Sequence, residues 1–162
     1  MNYFELFELP VTPKVDQSTL TKKYFELQRK NHPDFFSDAL ETEKELIIKI
    51  SADINKAYTT FKDGQKTLEY FLTLNDIIEP DEKYKLPDDF LMEMMDFNEE
   101  LSEMTPDQAK EKVKYLESTI YNEVGDLIEN YNAETGISET SSLKLYYYKK
   151  KYLNRILDRL ED

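Results

Sequence analysis

The chain has 162 residues, 34% charged and 40% hydrophobic, which suffices for one domain or two small ones that bury a core. It has no cysteine and one histidine, which excludes disulfides, thiolate metal sites and histidine-rich metal sites. Residues 1–75 carry 10 Lys/Arg against 12 Asp/Glu (net −2) and residues 76–162 carry 11 against 22 (net −11), giving −13 in total.

This acidic surface is expected to repel nucleic acid and anionic membranes. It suits a basic partner, or it only keeps the protein in solution. No apolar run approaches the ~20 residues of a membrane span, and the N-terminus lacks the basic and apolar regions of a signal peptide. We therefore expect a cytoplasmic protein that binds neither nucleic acid nor membranes.

Helical periodicity dominates the first 75 residues. An aromatic-rich turn ends at Pro10, and helices are predicted over roughly 18–31, 41–61 and 65–74. Asp16 and Ser18 are both candidates for the N-cap of the first of these helices.

The second half begins with a segment rich in proline and acidic residues, whose centre, residues 76–86, we interpret as a linker. Helices are predicted over roughly 87–104, 106–132 and 139–160. Thr105 before Pro106 has the pattern of an N-cap followed by proline at the first helical position. The predicted fold is all-α, with an N-terminal helical unit at 1–75 and a C-terminal three-helix bundle at 87–162 whose neighbours are antiparallel.

The only histidine stands in the tripeptide His32-Pro33-Asp34. Proline disfavours the α conformation of the residue before it, so the helix is expected to end at Asn31 and leave His32 extended. The fixed φ of Pro33 stiffens the turn, and Asp34 can accept hydrogen bonds or offer its carboxylate to a partner. Catalysis would need a nucleophile, a metal or a second acid in a cleft. Ser37 lies near His32, but the loop is expected to be exposed and nothing enforces a catalytic triad.

The helix before this tripeptide has two different faces on a wheel of about 100° per residue. Its apolar stripe contains Leu20, Tyr24 and Leu27. The opposite face is basic, although the chain as a whole is acidic, and consists of Lys22, Lys23, Arg29 and Lys30. A solvated helix face beside an accidental His-Pro-Asp turn is the alternative interpretation.

With its flanking helices and the aromatic "NYFELFELP" start, this part of the chain resembles a J-domain over roughly residues 2–74. J-domains belong to DnaJ-type co-chaperones, which stimulate ATP hydrolysis by DnaK-type chaperones. The resemblance implies an antiparallel helical hairpin flanked by short helices. It also implies that the chaperone-binding residues are His32, Pro33, Asp34, Lys22, Lys23, Arg29 and Lys30.

The stretch "FLMEMMDFNEELSEM", residues 90–104, has more apolar side chains than one helix face can bury. Its core seam, spaced 4, 3, 4, 3, consists of Phe90, Met94, Phe97, Leu101 and Met104. Leu91, Met92 and Met95 lie elsewhere on the wheel, beside carboxylates. They form either a flexible binding surface or a wider core stripe against a third helix.

The last helix has one tyrosine outside its apolar stripe. On a wheel referenced to Leu145, Tyr147 lies at about 200°, away from the predicted core. An outward tyrosine is compatible with an interface or with an ordinary surface position.

The whole chain resembles HscB, the J-type co-chaperone family of iron–sulfur cluster assembly, through "LQRKNHPD", "INKAYTTFKDGQKTLEYFL" and "FLMEMMDFNEEL". The resemblance implies a scaffold-binding face made of Leu91, Met92, Met95, Asp96, Glu99, Glu103 and Tyr147. Asp96 stands where the family usually has Glu, Met95 where it has Leu, and Tyr147 where it has Phe. The chain starts at the J-domain without a cysteine-based zinc module, so we expect the bacterial type.

The function expected from this resemblance is that of a co-chaperone without enzymatic activity, metal or cofactor. It would bind an IscU-type scaffold protein and an HscA/DnaK-type ATPase, and stimulate that ATPase. Three alternatives remain: a general DnaJ-like folding co-chaperone, a structural acidic adaptor, and a small hydrolase that uses His32.

Overall fold

The computed structural model describes residues 1–134 and 136–161, with the side chains of Ile137 and Ser138 also left undescribed. Within these residues every regular element is helical, which confirms the all-α prediction. The chain divides into two compact units, Met1–Phe71 and Leu72–Asp162. The helices are α1 (Tyr3–Leu6), α2 (Gln17–Asn31), α3 (Glu41–Lys62), α4 (Gly64–Leu74), α5 (Asp88–Glu100), α6 (Pro106–Asn122), α7 (Gly125–Glu129) and α8 (Ile137–Glu161).

The short α1 anchors the core of the first unit. Asn2 and Glu5 form a capping box, which satisfies two backbone N–H groups at the start of the helix. Phe4 and Phe7 are buried, and their rings lie 4.9 and 5.9 Å from the ring of Phe61 near the end of α3. The aromatic start of the chain is therefore core rather than a free turn.

Helices α2 and α3 form an antiparallel hairpin. The ring of Tyr24 on α2 stacks on the ring of Tyr58 on α3 at 3.9 Å. The Gln28 side chain, one turn after Tyr24, donates to the Asn55 side chain, which lies almost one turn before Tyr58, so the two helices run in opposite directions. Asp16 is the N-cap of α2, and the backbone N–H of Thr19, followed by the hydroxyls of Ser18 and Thr19, holds the pKa of its carboxyl below the usual value.

Helices α5, α6 and α8 form the core of the second unit. The predicted seam is confirmed, because Phe90, Met94 and Phe97 are buried while Leu101 and Met104 pack against the same core. The facing residues are Val113, Leu116 and Ile120 on α6, and Leu153 and Ile156 on α8. Thr105 and Gln108 form a capping box at the start of α6, with Pro106 at its first position.

The prediction of one continuous helix over 106–132 is wrong. α6 ends at Asn122, Val124 has φ −125° and ψ 0°, and α7 begins at Gly125. Glycine weakens a helix interior, and a β-carbon at Gly125 would lie 3.2 Å from the ring of Tyr121. The absence of a β-carbon at Gly125 lets the backbone lie close to that ring, at the point where α7 begins.

Residues 82–87, here called the strap, have no regular secondary structure but lie against α8 within the second unit. The Glu82 carboxylate accepts hydrogen bonds from Lys144 Nζ and from the Tyr148 hydroxyl, both at 2.7 Å. The ring of Tyr84 stacks on Tyr148 at 4.4 Å, and Lys144 Nζ lies 5.6 Å from the Tyr84 ring. The C-terminal part of the segment predicted as a linker is thus held by specific contacts.

Candidate functional site

The His-Pro-Asp turn comprises His32 and the 3-10 turn Pro33–Phe36. α2 ends at Asn31, and His32 has φ −70° and ψ 127°, so the expected extended conformation before proline is confirmed. The Asp34 backbone N–H donates to His32 Nδ1 at 3.2 Å. Because Nδ1 accepts this bond, a neutral His32 ring carries its proton on Nε2, where it is available to a partner.

Both polar side chains of the turn are open to solvent. The side chain of His32 is 48% exposed and that of Asp34 is 86% exposed, with Asp34 Oδ2 3.5 Å from His32 Nδ1. Within the described residues no group of three or more His, Cys, Asp or Glu side chains could hold a metal ion. This open arrangement suits recognition by another protein better than acid–base chemistry, which works in a cleft that excludes water.

The basic face of α2 is only partly free. Lys22, Arg29 and Lys30 are exposed, and they make no ion pair with any described residue. Lys23 is half-buried, and its Nζ donates to the Glu8 carbonyl oxygen at 2.8 Å. Three of the four predicted cations are therefore available to an acidic partner, and Lys23 also ties α2 to the loop after α1.

Exposed apolar side chains near the turn were missed by the sequence interpretation. Phe35 is 68% exposed, Leu40 70% and Ile48 57%. Pro33 borders a cavity of about 210 Å³ that Ile48 also lines. The signal was the paired "FF" and "II", since adjacent apolar residues on a helix cannot both face one core.

The α5 face, defined as Leu91, Met92, Met95, Asp96 and Glu99, points to solvent in the second unit. Met92 is 66% exposed, Met95 is 63% exposed, and Leu91 is half-buried. The three residues were predicted to be either a binding surface or a wider core stripe. The two methionines are outside the core, because α6 and α8 pack on the opposite side of α5.

Carboxylates surround these methionines. Asp96 and Glu99 are exposed, and their side-chain carboxylates form neither a hydrogen bond nor an ion pair within the described part of the chain. Glu103 is equally exposed but lies in a 3-10 turn, Leu101–Glu103, because α5 ends at Glu100 and not at residue 104 as predicted. The charges of this surface are not neutralised internally, so they remain available to a basic partner.

The expectation that Tyr147 points outward is wrong, because its side chain is only 3% exposed. The prediction assumed one buried face along α8, whereas the buried pair Leu143 and Tyr147 lies roughly 130° around the helix from Leu153 and Ile156. The ring of Tyr147 lies 5.0 Å from that of Tyr148. It is not part of the solvent-exposed surface of this structure.

No described helix has the length and apolar character that crossing a membrane requires.

Comparison with known proteins identifies one family over the whole chain. A family model described as the HSCB C-terminal oligomerisation domain matches residues 86–161. The Co-chaperone protein HscB homolog of Colwellia psychrerythraea is 34% identical and that of Shewanella loihica 33%, over 100% of this chain and 97% and 98% of theirs.

Two solved structures have the same fold. The chaperone HscB from Vibrio cholerae superposes with a TM-score of 0.73 at 30% identity, covering 99% of this chain and 96% of that one. Human co-chaperone protein HscB superposes with a TM-score of 0.80 at 28% identity, covering 99% of this chain and 81% of that one.

Proposed function

The chain belongs to the HscB co-chaperone family, and from that membership we propose that it binds an IscU-type iron–sulfur scaffold protein and delivers it to an HscA/DnaK-type ATPase chaperone. In this proposal the chain acts in the cytoplasm, carries no cofactor and performs no covalent chemistry itself. Its work is to bring two other proteins together.

The observation that carries the proposal is the α5 face. Two methionines about two-thirds exposed are costly to leave in water, and the neighbouring carboxylates have no internal partner. A scaffold protein with an apolar patch bordered by cations would cover the methionines and pair with Asp96, Glu99 and Glu103. Flexible methionine side chains suit a surface that adapts to its partner.

The chaperone contact is assigned to the first unit. The basic face of α2, with exposed Lys22, Arg29 and Lys30, would attract an acidic surface of the ATPase and speed the association of the two proteins. The stiff His-Pro-Asp turn would then present His32 Nε2–H and the Asp34 carboxylate as a donor and an acceptor.

Two binding sites on one chain raise the effective concentration of each partner for the other. We infer that contact of the turn with the chaperone accelerates ATP hydrolysis while the scaffold is held nearby. Hydrolysis would lock the chaperone onto the scaffold and favour transfer of the cluster to acceptor proteins. The opposite charges of the two sites, basic on α2 and acidic on α5, reduce exchange of partners between them.

The substitution His32→Gln tests this division of roles. We expect it to abolish stimulation of ATP hydrolysis by an HscA-type chaperone and to leave the Kd for the scaffold unchanged. Asp38→Asn, an exposed change just after the turn, is the matched control and should keep full stimulation. Retained stimulation by His32→Gln, or loss of both activities with the fold intact, would contradict the proposal.

A further inference from the structure

The second unit contains a small pocket between the strap and α8. Its volume is about 170 Å³, and its α8 side follows one helical stripe at positions 148, 151, 152 and 155. Its apolar wall is formed by the rings of Tyr84, Tyr148 and Tyr152 together with Leu86. The stacking of Tyr84 on Tyr148 at 4.4 Å keeps this part of the wall in place.

The rim of this pocket is basic, although residues 76–162 carry 11 Lys/Arg against 22 Asp/Glu. Lys83, Lys151 and Arg155 are exposed, and no carboxylate of the described residues forms an ion pair with them. Among the described residues that line the pocket, Glu82 is the one with a carboxylate, and it already accepts hydrogen bonds from Lys144 and Tyr148. The pocket therefore presents uncompensated positive charge beside aromatic rings.

The size of the pocket indicates what it can hold. Sites for small molecules usually occupy about 300–1,000 Å³, so a pocket of about 170 Å³ matches one or two side chains of a peptide rather than a metabolite. The rim cations favour a carboxylate, and the tyrosine walls favour an apolar or aromatic neighbour of that carboxylate.

The position of the pocket indicates which partner reaches it. Leu86 lines the pocket and lies two residues before α5 begins, and the ring of Tyr152 contacts the ring of Phe90 at 5.9 Å. The pocket thus adjoins the N-terminal end of α5, the end at which Leu91 begins the α5 face, although α8 packs on the opposite side of α5 from the two methionines of that face. A protein that covers the α5 face and extends past this end of the helix would reach the pocket.

We propose that this pocket binds an acidic segment of the same scaffold-type partner that the α5 face binds, an inference that rests on the proposed function. The partner then has two charged regions, cations opposite Asp96 and Glu99 and a carboxylate opposite Lys151 and Arg155. Because the two ends of the interface then carry opposite charges, the partner can bind in one orientation, and in the reversed orientation like charges would face each other.

The double substitution Lys151→Glu plus Arg155→Glu tests the inference, because the direction of the change in scaffold affinity distinguishes an acidic from a basic partner segment. A partner that carries only basic contact groups would bind this more acidic variant equally well or more tightly. We expect the Kd for a purified IscU-type scaffold, measured by titration calorimetry on the full chain, to rise at least about tenfold. The milder Lys151→Ala plus Arg155→Ala should weaken binding in the same direction.

The matched control is Lys110→Glu plus Lys114→Glu on α6, which changes the net charge by the same amount in the same unit. Circular dichroism and the unfolding temperature verify that each variant folds. Unchanged or tighter binding by the Lys151/Arg155 variants, or an equal loss in the α6 control, overturns the pocket assignment alone. Absence of scaffold binding by the unmodified chain overturns the proposed function as well.

Discussion

The α5 face supports a quantitative prediction for the substitution Met92→Ala plus Met95→Ala. These two side chains are 66% and 63% exposed, so they contribute little to the core of the free protein. Leu91 is half-buried, and its truncation would mix a loss of packing with a loss of binding. The methionine pair therefore separates the interface from the fold.

The expected magnitude follows from the exposed area. Full burial of a methionine side chain contributes about 1.5–3 kcal/mol, so burial of the exposed two-thirds contributes about 1–2 kcal/mol per residue. Losing both contributions costs about 2–4 kcal/mol, which corresponds to a rise in Kd of about 30- to 1,000-fold.

Titration of the scaffold protein with the double variant measures this Kd directly. The free energy of unfolding should change little, as is usual for substitutions of exposed side chains. Tyr115→Ala is the matched control, since Tyr115 is 65% exposed on α6 of the same unit and should leave the Kd unchanged. If the methionine variant binds like the unmodified chain, the α5 face is not the scaffold site and the argument from exposure fails.

Three further predictions concern stability. Tyr147→Ala should lower the free energy of unfolding in urea by about 3–5 kcal/mol, as for other buried aromatic residues, and unchanged stability would restore a surface role for this residue. Thr105→Ala removes the capping box with Gln108 and should cost about 1 kcal/mol in the same measurement, so a cost near zero would argue against this cap. The hydrogen bond from Lys144, followed by that from Tyr148, holds the pKa of Glu82 below its usual value of 4.5. The resulting stabilisation is present above pH 4.5 and is lost as pH falls through the lowered pKa of the folded state. The unfolding temperature of the unmodified chain should therefore exceed that of Glu82→Gln at pH 7 and approach it in strong acid, and a constant difference would refute the ion pair as its cause.

The proposed function depends on side chains that the two cores leave outside. α2 buries Leu20 and leaves Lys22, Arg29 and Lys30 in solvent, and α5 buries Phe90, Met94 and Phe97 and leaves two methionines exposed. Each helix thus buries one face, and the proposed function assigns recognition to the other. Substitutions on the outer faces can change binding without large effects on folding.

Local features of the fold were predictable from the sequence because short-range sterics and periodicity set them. Pro33 disfavours a helical conformation of His32, and Thr105 followed by Pro106 favours the start of α6. Both effects arise from neighbouring residues and do not depend on tertiary contacts. The spacing of Phe90, Met94 and Phe97 indicated the buried side of α5. The wheel left open whether Leu91, Met92 and Met95 widen the core stripe, and the packing of α6 and α8 on the other side of α5 decided that the two methionines are exposed.

Only the tertiary structure decided which surfaces are covered. The burial of Tyr147 depends on where α8 meets other parts of the chain along its length, and the wheel of one helix contains no such information. The position of the strap also depends on tertiary contacts, since Glu82 binds Lys144 and Tyr148, which lie more than 60 residues away in the sequence. The pocket beside it follows, because a concave site needs two segments whose approach is set by packing and not by the local pattern.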